Sequence, residues 1–154
     1  MDPTEVFEWI PFARELGIEI AEAADGHARG HLSLEDWHSS NPQGMIAHGG
    51  VAYSLADTVG GAAAVSANGR ITPTIDMRID YLTPATGEEL HAEADVVRNG
   101  NSVATVDVVV TDETDTHIAE ARGVYKTGGG DDETPWTTGV DRSEAGLDGS
   151  ERAE

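Results

Sequence analysis

Residues 51–67, VAYSLADTVGGAAAVSA, have the spacing of a helix and almost no polar face. Val51, Ala52, Leu55, Ala56, Val59, Ala62, Ala63, Val65 and Ala67 surround its axis, and a helix apolar nearly all round is a buried helix. At about 1.5 Å per residue it spans roughly 25 Å, the width of a small domain, so the remaining chain has to wrap it. Gly60 and Gly61 leave thin side chains midway. Each costs about 1 kcal/mol against alanine in a helix interior, which predicts close approach of a neighbouring backbone there. Asp57 is the single carboxylate of the segment, and burying its charge is costly without a partner. It is therefore the first candidate for chemistry. Just upstream, His48, Gly49 and Gly50 set backbone N–H groups at the positive end of the helix, where an anion or a developing oxyanion can bind. Asn68 and Gly69 read as its left-handed end.

The flanking sequence supplies the wrapping. In residues 4–17, Val6, Trp9, Ile10, Ala13 and Leu16 recur at helical spacing, with Thr4 as a cap and Gly17 as a stop, which predicts one leading helix within 1–16 that Pro11 starts or breaks. Residues 18–24 and 27–35 alternate on either side of Asp25-Gly26, a first hairpin. After the buried helix come four runs of period two: ITPTIDMRIDYL, ELHAEADVVRNG, NSVATVDVVVTD and THIAEARGVYKT, with Asn99-Gly100 as a hairpin turn. The order predicts an α+β fold, an antiparallel six-stranded sheet wrapped around one long central helix, its last four strands largely a meander. One domain over 1–127 is expected, followed by an acidic tail over 128–154 that has no periodic apolar pattern and reads as disordered.

Charge narrows the partners. The 154-residue chain has 29 Asp and Glu against 9 Lys and Arg, a net charge of −20, which argues against nucleic acid and anionic membrane, both bound through Lys and Arg. The composition resembles that of proteins from salt-loving archaea, where screening over about 3 Å at 1 M makes such self-repulsion tolerable. No cysteine is present, which excludes disulfides, thiolate metal sites and cysteine nucleophiles. His27, His31, His38, His91 and His117 show no metal-ligand spacing, so no metal is expected. No segment has a basic start with an apolar core, and no run approaches 18 apolar residues; a cytoplasmic protein is expected.

At Asn41-Pro42-Gln43-Gly44, His48-Gly49-Gly50 and Leu55-Ala56-Asp57-Thr58, continuing through residues 74–84 and 87–92, the sequence resembles the PaaI-type acyl-CoA thioesterases of the hotdog superfamily. The likeness spans roughly residues 17–127. It departs at one point: three residues separate Gly44 from His48, where the family usually has two. The resemblance implies a hotdog fold and a homodimer with sheets joined edge to edge, often paired again into a tetramer, with active sites shared at the dimer interface. It further implies Asp57 as general base or nucleophile and the backbone N–H of the partner subunit's Gly49 polarising the thioester carbonyl. Asn41 would hold the loop and the thioester, and Thr74 would orient the attacking water. No cofactor is implied, coenzyme A being part of the substrate, and an aryl-acyl group is the family's expectation.

That chemistry is sound on its own terms. Thioester hydrolysis needs a positioned base, worth about 10²–10⁴-fold, and an oxyanion donor, worth about 10²–10³-fold. Asp57 and the helix N-terminus supply both. His48 and Gly50 are expected to brace the loop against the substrate, Tyr53 and Met77 to line the acyl pocket or the core. Arg78, Arg98 and Lys126 are candidates for the coenzyme A phosphates, Arg98 because it adjoins the Asn99-Gly100 turn; pairing with surface carboxylates is the other use open to them. Ser54 and Ser66 lack a nucleophile-elbow setting. Two further functions stay open on the same fold: a non-catalytic acyl-CoA binding or sensing protein, and a hydratase.

Overall fold

A computed structural model describes residues 2–128; most of the expected acidic tail lies outside the described residues. Helix α3, Gly49–Asn68, is the axis of the fold. It begins two residues before the apolar pattern does, because His48 caps it: the His48 Nδ1 accepts the Gly50 N–H at 2.8 Å. It ends as expected at Gly69, φ 66, a conformation that costs a residue without a Cβ nothing. Leu55, Ala56, Val59, Ala62, Ala63 and Ala64 are fully buried.

Pro11 breaks the leading segment into two helices, one of the two outcomes expected of it: α1, Pro3–Glu8, and α2, Pro11–Leu16. Pro11 has no N–H to continue the first helix and opens the second instead. The cap is Asp2 rather than Thr4. Pro3 takes the first helical position, so Asp2 stands before it and its Oδ1 accepts the Thr4 N–H at 2.9 Å. Gly17, φ 83, ends α2 as expected.

The strands are β1 (Glu19–Ala24), β2 (His27–Ser33), β3 (Thr74–Tyr81), β4 (Glu89–Asn99), β5 (Val103–Asp112) and β6 (His117–Lys126). They form one antiparallel six-stranded sheet in the order β1-β2-β4-β5-β6-β3. The meander therefore holds for β4, β5 and β6 only. Strand β2 occupies the free side of β4, His31 facing His91, so β3 crosses to the outer side of β6 and becomes an edge. Alternation sends Ala104, Val106, Val108 and Val110 of β5 inward with Leu90, Ala92 and Ala94 of β4, all buried against α3. Small residues on both surfaces let the helix lie close to the sheet.

One irregularity positions the site. Met77 pairs with Gly123 and Asp76 with Val124, but Thr74, not Ile75, pairs with Tyr125. Ile75 is a bulge, and a bulge resets the two-residue alternation. Thr74 thus shares the inward face with Tyr125, while Ile75 stands 57% exposed.

Candidate active site

Asp57 lies half-buried on α3 where β3 and β6 cross it. Its Oδ1 accepts a hydrogen bond from Thr74 Oγ1 at 2.7 Å. The Tyr125 hydroxyl lies 3.0 Å from the Asp57 backbone carbonyl and 3.3 Å from the same Oδ1, donating to both. No donor among the described residues reaches Oδ2. One carboxylate oxygen is thus anchored and the other is left to accept a proton, the arrangement a general base requires.

Tyr125 is 1% exposed. Burial first, then the adjacent negative Asp57 and its acceptance of the hydroxyl proton, hold the phenol well above its usual range. It therefore stays a donor at every ordinary pH. Its ring fits because two neighbours lack side chains. A Cβ at Gly60 would overlap the Tyr125 hydroxyl, and one at Gly123 would come within 2.6 Å of the ring and 2.8 Å of the Met77 methyl. The thin stretch of α3 accordingly makes room for side chains, not for the neighbouring backbone expected: Tyr125 beside Gly60, and the Phe7 ring 3.4 Å from a Cβ at Gly61.

Beside Asp57 opens a cavity of about 450 Å³. Asp57, Thr58, Gly61 and Val65 of α3 form one wall, residues 71–74 and Tyr125 a second, and Phe7, Trp9, Ile10, Pro11 and Phe12 of the leading segment a third. Neither Tyr125 nor the leading segment was a candidate from sequence. For the latter a signal was present: Phe7, Trp9 and Phe12 are three of the chain's five Phe and Trp residues, set within six positions of one another.

At the start of α3 the three expected N–H groups differ in use. That of His48 donates to the His38 carbonyl at 2.8 Å, and that of Gly50 to the His48 ring. Only the N–H of Gly49 has no partner among the described residues. The Tyr81 hydroxyl donates to the Gly49 carbonyl at 2.7 Å. Gly49 precedes Asp57 by eight helical residues, roughly 12 Å of axis. Within one protomer the two do not converge.

The loop before α3 is tied by Ser39, whose hydroxyl accepts the N–H groups of Asn41 and Ile46, both at 3.0 Å, and donates to the Gly44 carbonyl at 2.7 Å. Asn41 closes a local turn, its Oδ1 accepting the Gln43 N–H at 3.0 Å. Tyr53 and Met77 bond to each other, hydroxyl to carbonyl at 3.0 Å; neither lines the cavity.

The cations divide. Arg78 pairs with Asp80 at 3.2 Å, Arg29 with Glu22 at 2.9 Å and Arg122 with Asp107 at 2.6 Å. Arg98 and Lys126 have no carboxylate within ion-pair reach among the described residues. They lie at one end of the sheet, Arg98 opposite Thr105 and Lys126 opposite Val103, with Arg70 bonded to the Thr127 carbonyl nearby. Pairing across strands also gathers His27, Glu93 and Asp95, their ligand atoms within 4.8 Å of one another. Sequence spacing could not reveal that group. The His27 Nδ1 is bonded to Asp95 at 2.8 Å, and both carboxylates face solvent. Among the described residues no helix is long and apolar enough to cross a membrane.

The sequence profile of the thioesterase superfamily matches residues 44–119. The medium/long-chain acyl-CoA thioesterase YigI of Escherichia coli K12 is 31% identical over 134 residues, covering 77% of this chain and 86% of YigI. A Halobacterium salinarum protein, named as an esterase by inference, is 36% identical over 110 residues, 68% of this chain and 72% of its own length. Among solved structures, the PaaI protein of the E. coli phenylacetic acid degradation operon superimposes with a TM-score of 0.74 at 28% identity, covering 82% of this chain and 90% of PaaI. The chain therefore belongs to the thioesterase superfamily, with its hotdog fold, and is a thioester hydrolase.

Proposed function

We propose that the chain hydrolyses acyl-CoA thioesters as a homodimer with shared active sites, and that Asp57 is its base. The observation that carries the proposal is the Asp57 carboxylate itself, held at Oδ1 by Thr74 and Tyr125, with no donor to Oδ2 among the described residues, beside an apolar cavity. In the water route Asp57 takes a proton from water and the oxygen adds to the thioester carbonyl. The carbon–sulfur bond then breaks, and the thiolate of coenzyme A leaves and recovers the proton. In a direct attack the Asp57 carboxylate adds to the thioester carbonyl, and the carbon–sulfur bond breaks to leave an anhydride and the thiolate. Water then cleaves the anhydride, restoring the Asp57 carboxylate, releasing the carboxylic acid and supplying the proton of the thiol. The Thr74 hydroxyl, within reach of Oδ1, aligns carboxylate and water.

The carbonyl oxygen needs a donor that the same protomer does not bring to Asp57. The N–H of the partner subunit's Gly49 fills that role, favoured by the helix dipole behind it. Strand β3 supports the pairing, since it is an edge whose outer side has no partner strand among the described residues and carries exposed Ile75 and Tyr81. Two such edges joined antiparallel continue one sheet through both protomers, and two dimers make the tetramer. Asn41, His48 and Gly50 keep the loop before α3 in shape. Of the three candidate cations, Arg98 and Lys126 are left to meet the phosphates of coenzyme A, whereas Arg78 is engaged by Asp80.

Hydrolysis of short, medium and aryl acyl-CoAs by wild type and Asp57→Asn, following thiol release, tests the base. Turnover in the variant is expected to fall by about 10²–10⁴-fold. Wild-type rates in Asp57→Asn would remove the mechanism, and binding of acyl-CoA by the folded wild type without turnover would make the chain a binding protein.

A further inference from the structure

Resting on the shared-site reading above, we infer that His38 is a positioning residue for hydrolysis: it aims the N–H of its own Gly49 at the thioester held beside Asp57 of the other protomer. The peptide carrying that N–H is held from two sides. On the helix side the Val51 N–H donates to the His48 carbonyl at 2.9 Å, and on the loop side the His38 carbonyl accepts the His48 N–H at 2.8 Å. Ser39 and Ala47 pair as an antiparallel bridge next to the second bond, so the loop leaves and returns through one pinned pair of segments. The His38 carbonyl is itself fixed by a single 3-10 turn, Asp36–His38, that its own imidazole closes. Nδ1 accepts the Glu35 N–H at 2.9 Å, and the Glu35 carboxylate accepts the His38 N–H in return. One turn of 3-10 helix has little stability of its own, so this side-chain cap is what holds it.

An imidazole is not what stability alone would place there. His38 is 1% exposed, and because Nδ1 accepts a hydrogen bond, Nε2 carries the ring proton. Nε2 has no partner among the described residues, and a buried donor without an acceptor is destabilising. Leucine would fill a similar volume without that penalty. What the ring supplies that leucine cannot is the acceptor at Nδ1, which acts on the turn and through it on Gly49. His38 does not line the cavity beside Asp57, so its effect belongs to the donor half of the site and not to the base half.

Two substitutions divide the properties of the ring. His38→Asn keeps an acceptor on Cγ, where Nδ1 stands, and loses bulk; His38→Leu keeps the bulk and loses the acceptor. With the fastest acyl-CoA of the panel above, kcat in His38→Leu is expected to fall about 10- to 100-fold, the effect of a misplaced oxyanion donor. KM should change by less than about twofold, since the donor acts in the transition state, and the melting temperature should not fall. His38→Asn is expected to keep most of kcat. A role in packing alone predicts the reverse order. Subunit mixing then assigns the effect to one half of the site. His38→Leu and Asp57→Asn, dissociated, mixed and reassociated, form dimers with one intact site of two, and about a quarter of wild-type activity should return. His38→Leu mixed with Gly49→Pro, which lacks the N–H itself, should stay at the level of its components, because both donors are impaired. Wild-type kcat in His38→Leu, loss of its fold, or recovery with Gly49→Pro in place of Asp57→Asn would overturn the inference. Gly49→Pro with Asp57→Asn tests the shared site by itself. Its recovery beside a failed mixture of His38→Leu and Asp57→Asn removes the role of His38 alone, whereas failure of both mixtures removes the shared-site reading as well.

Discussion

At the scale of single residues, the proposed base Asp57 is anchored at Oδ1 by Thr74 and Tyr125. Tyr125→Phe removes one donor to its Oδ1 without changing the ring volume, and a hydrogen bond to a charged group is worth about 1.5–3 kcal/mol. A loss of about 10- to 100-fold in kcat/KM is predicted, read in the same thiol-release assay. The same tyrosine makes stability depend on pH. An unfolded tyrosine releases its proton near pH 10, whereas burial and Asp57 keep that proton on in the folded chain. Above pH 10 the unfolded state binds fewer protons than the folded one, so stability, full at lower pH, falls as pH rises. Denaturant unfolding between pH 8 and 11 should show the fall, and Tyr125→Phe should lessen it. Tyr81, raised by partial burial, leaves a remainder. Asp57 was legible because a lone carboxylate in an apolar helix breaks the local pattern. Tyr125 was not. Its niche is made by Gly60 on α3 and Gly123 two residues back on β6, and only the folded chain brings them around one ring.

At the scale of elements, the bulge at Ile75 is what turns Thr74 toward Asp57. Deleting Ile75 places Thr74 next to Asp76, where strict alternation from Met77 keeps its side chain on the inward face opposite Tyr125. Activity is therefore predicted to survive the deletion and to fall in Thr74→Val, with circular dichroism unchanged in both; full activity in Thr74→Val would show that Thr74 is not used. Gly60→Ala puts a methyl group into the Tyr125 hydroxyl, and overpacking of this kind costs about 1–3 kcal/mol, measurable by urea unfolding. Much at this scale followed from local chemistry: the Asp25-Gly26 turn, with both residues at positive φ, the left-handed ends at Gly17 and Gly69, the β-branched runs. The β4–β5 hairpin instead turns over residues 100–102, Asn99 staying in β4 opposite Ala104. What did not follow was non-local. Strand β3 crosses to the edge because β2 has taken the side of β4 that it would otherwise fill, and nothing within residues 70–82 encodes that competition.

At the scale of the whole molecule, the charge and the open edge govern behaviour. With a net charge of −20, repulsion among surface carboxylates opposes folding and association at low salt, and screening falls to about 3 Å at 1 M. The melting temperature is therefore predicted to rise between 0.1 and 2 M KCl, by several degrees for each 1 kcal/mol relieved; a fall or no change would class the acidity as incidental. Composition made this legible; a site shared between protomers was expected from the resemblance, and the roughly 12 Å between Gly49 and Asp57 along one helix supports that reading. The most direct test of a site shared between protomers is complementation. Gly49→Pro removes the N–H at the first helical position, where proline is at home, and His48, φ −57 and ψ 136, already has the extended backbone that precedes a proline. A Cβ there comes within 3.0 Å of the Tyr81 ring, so Gly49→Ala, which keeps the N–H, is the control. Asp57→Asn and Gly49→Pro, each inactive alone, are dissociated, mixed in equal amounts and reassociated, and hydrolysis is measured. Half of the random dimers then combine the two variants, and each holds one intact site of two, so the mixture should regain about a quarter of wild-type activity. A mixture as inactive as its components would contradict the shared site.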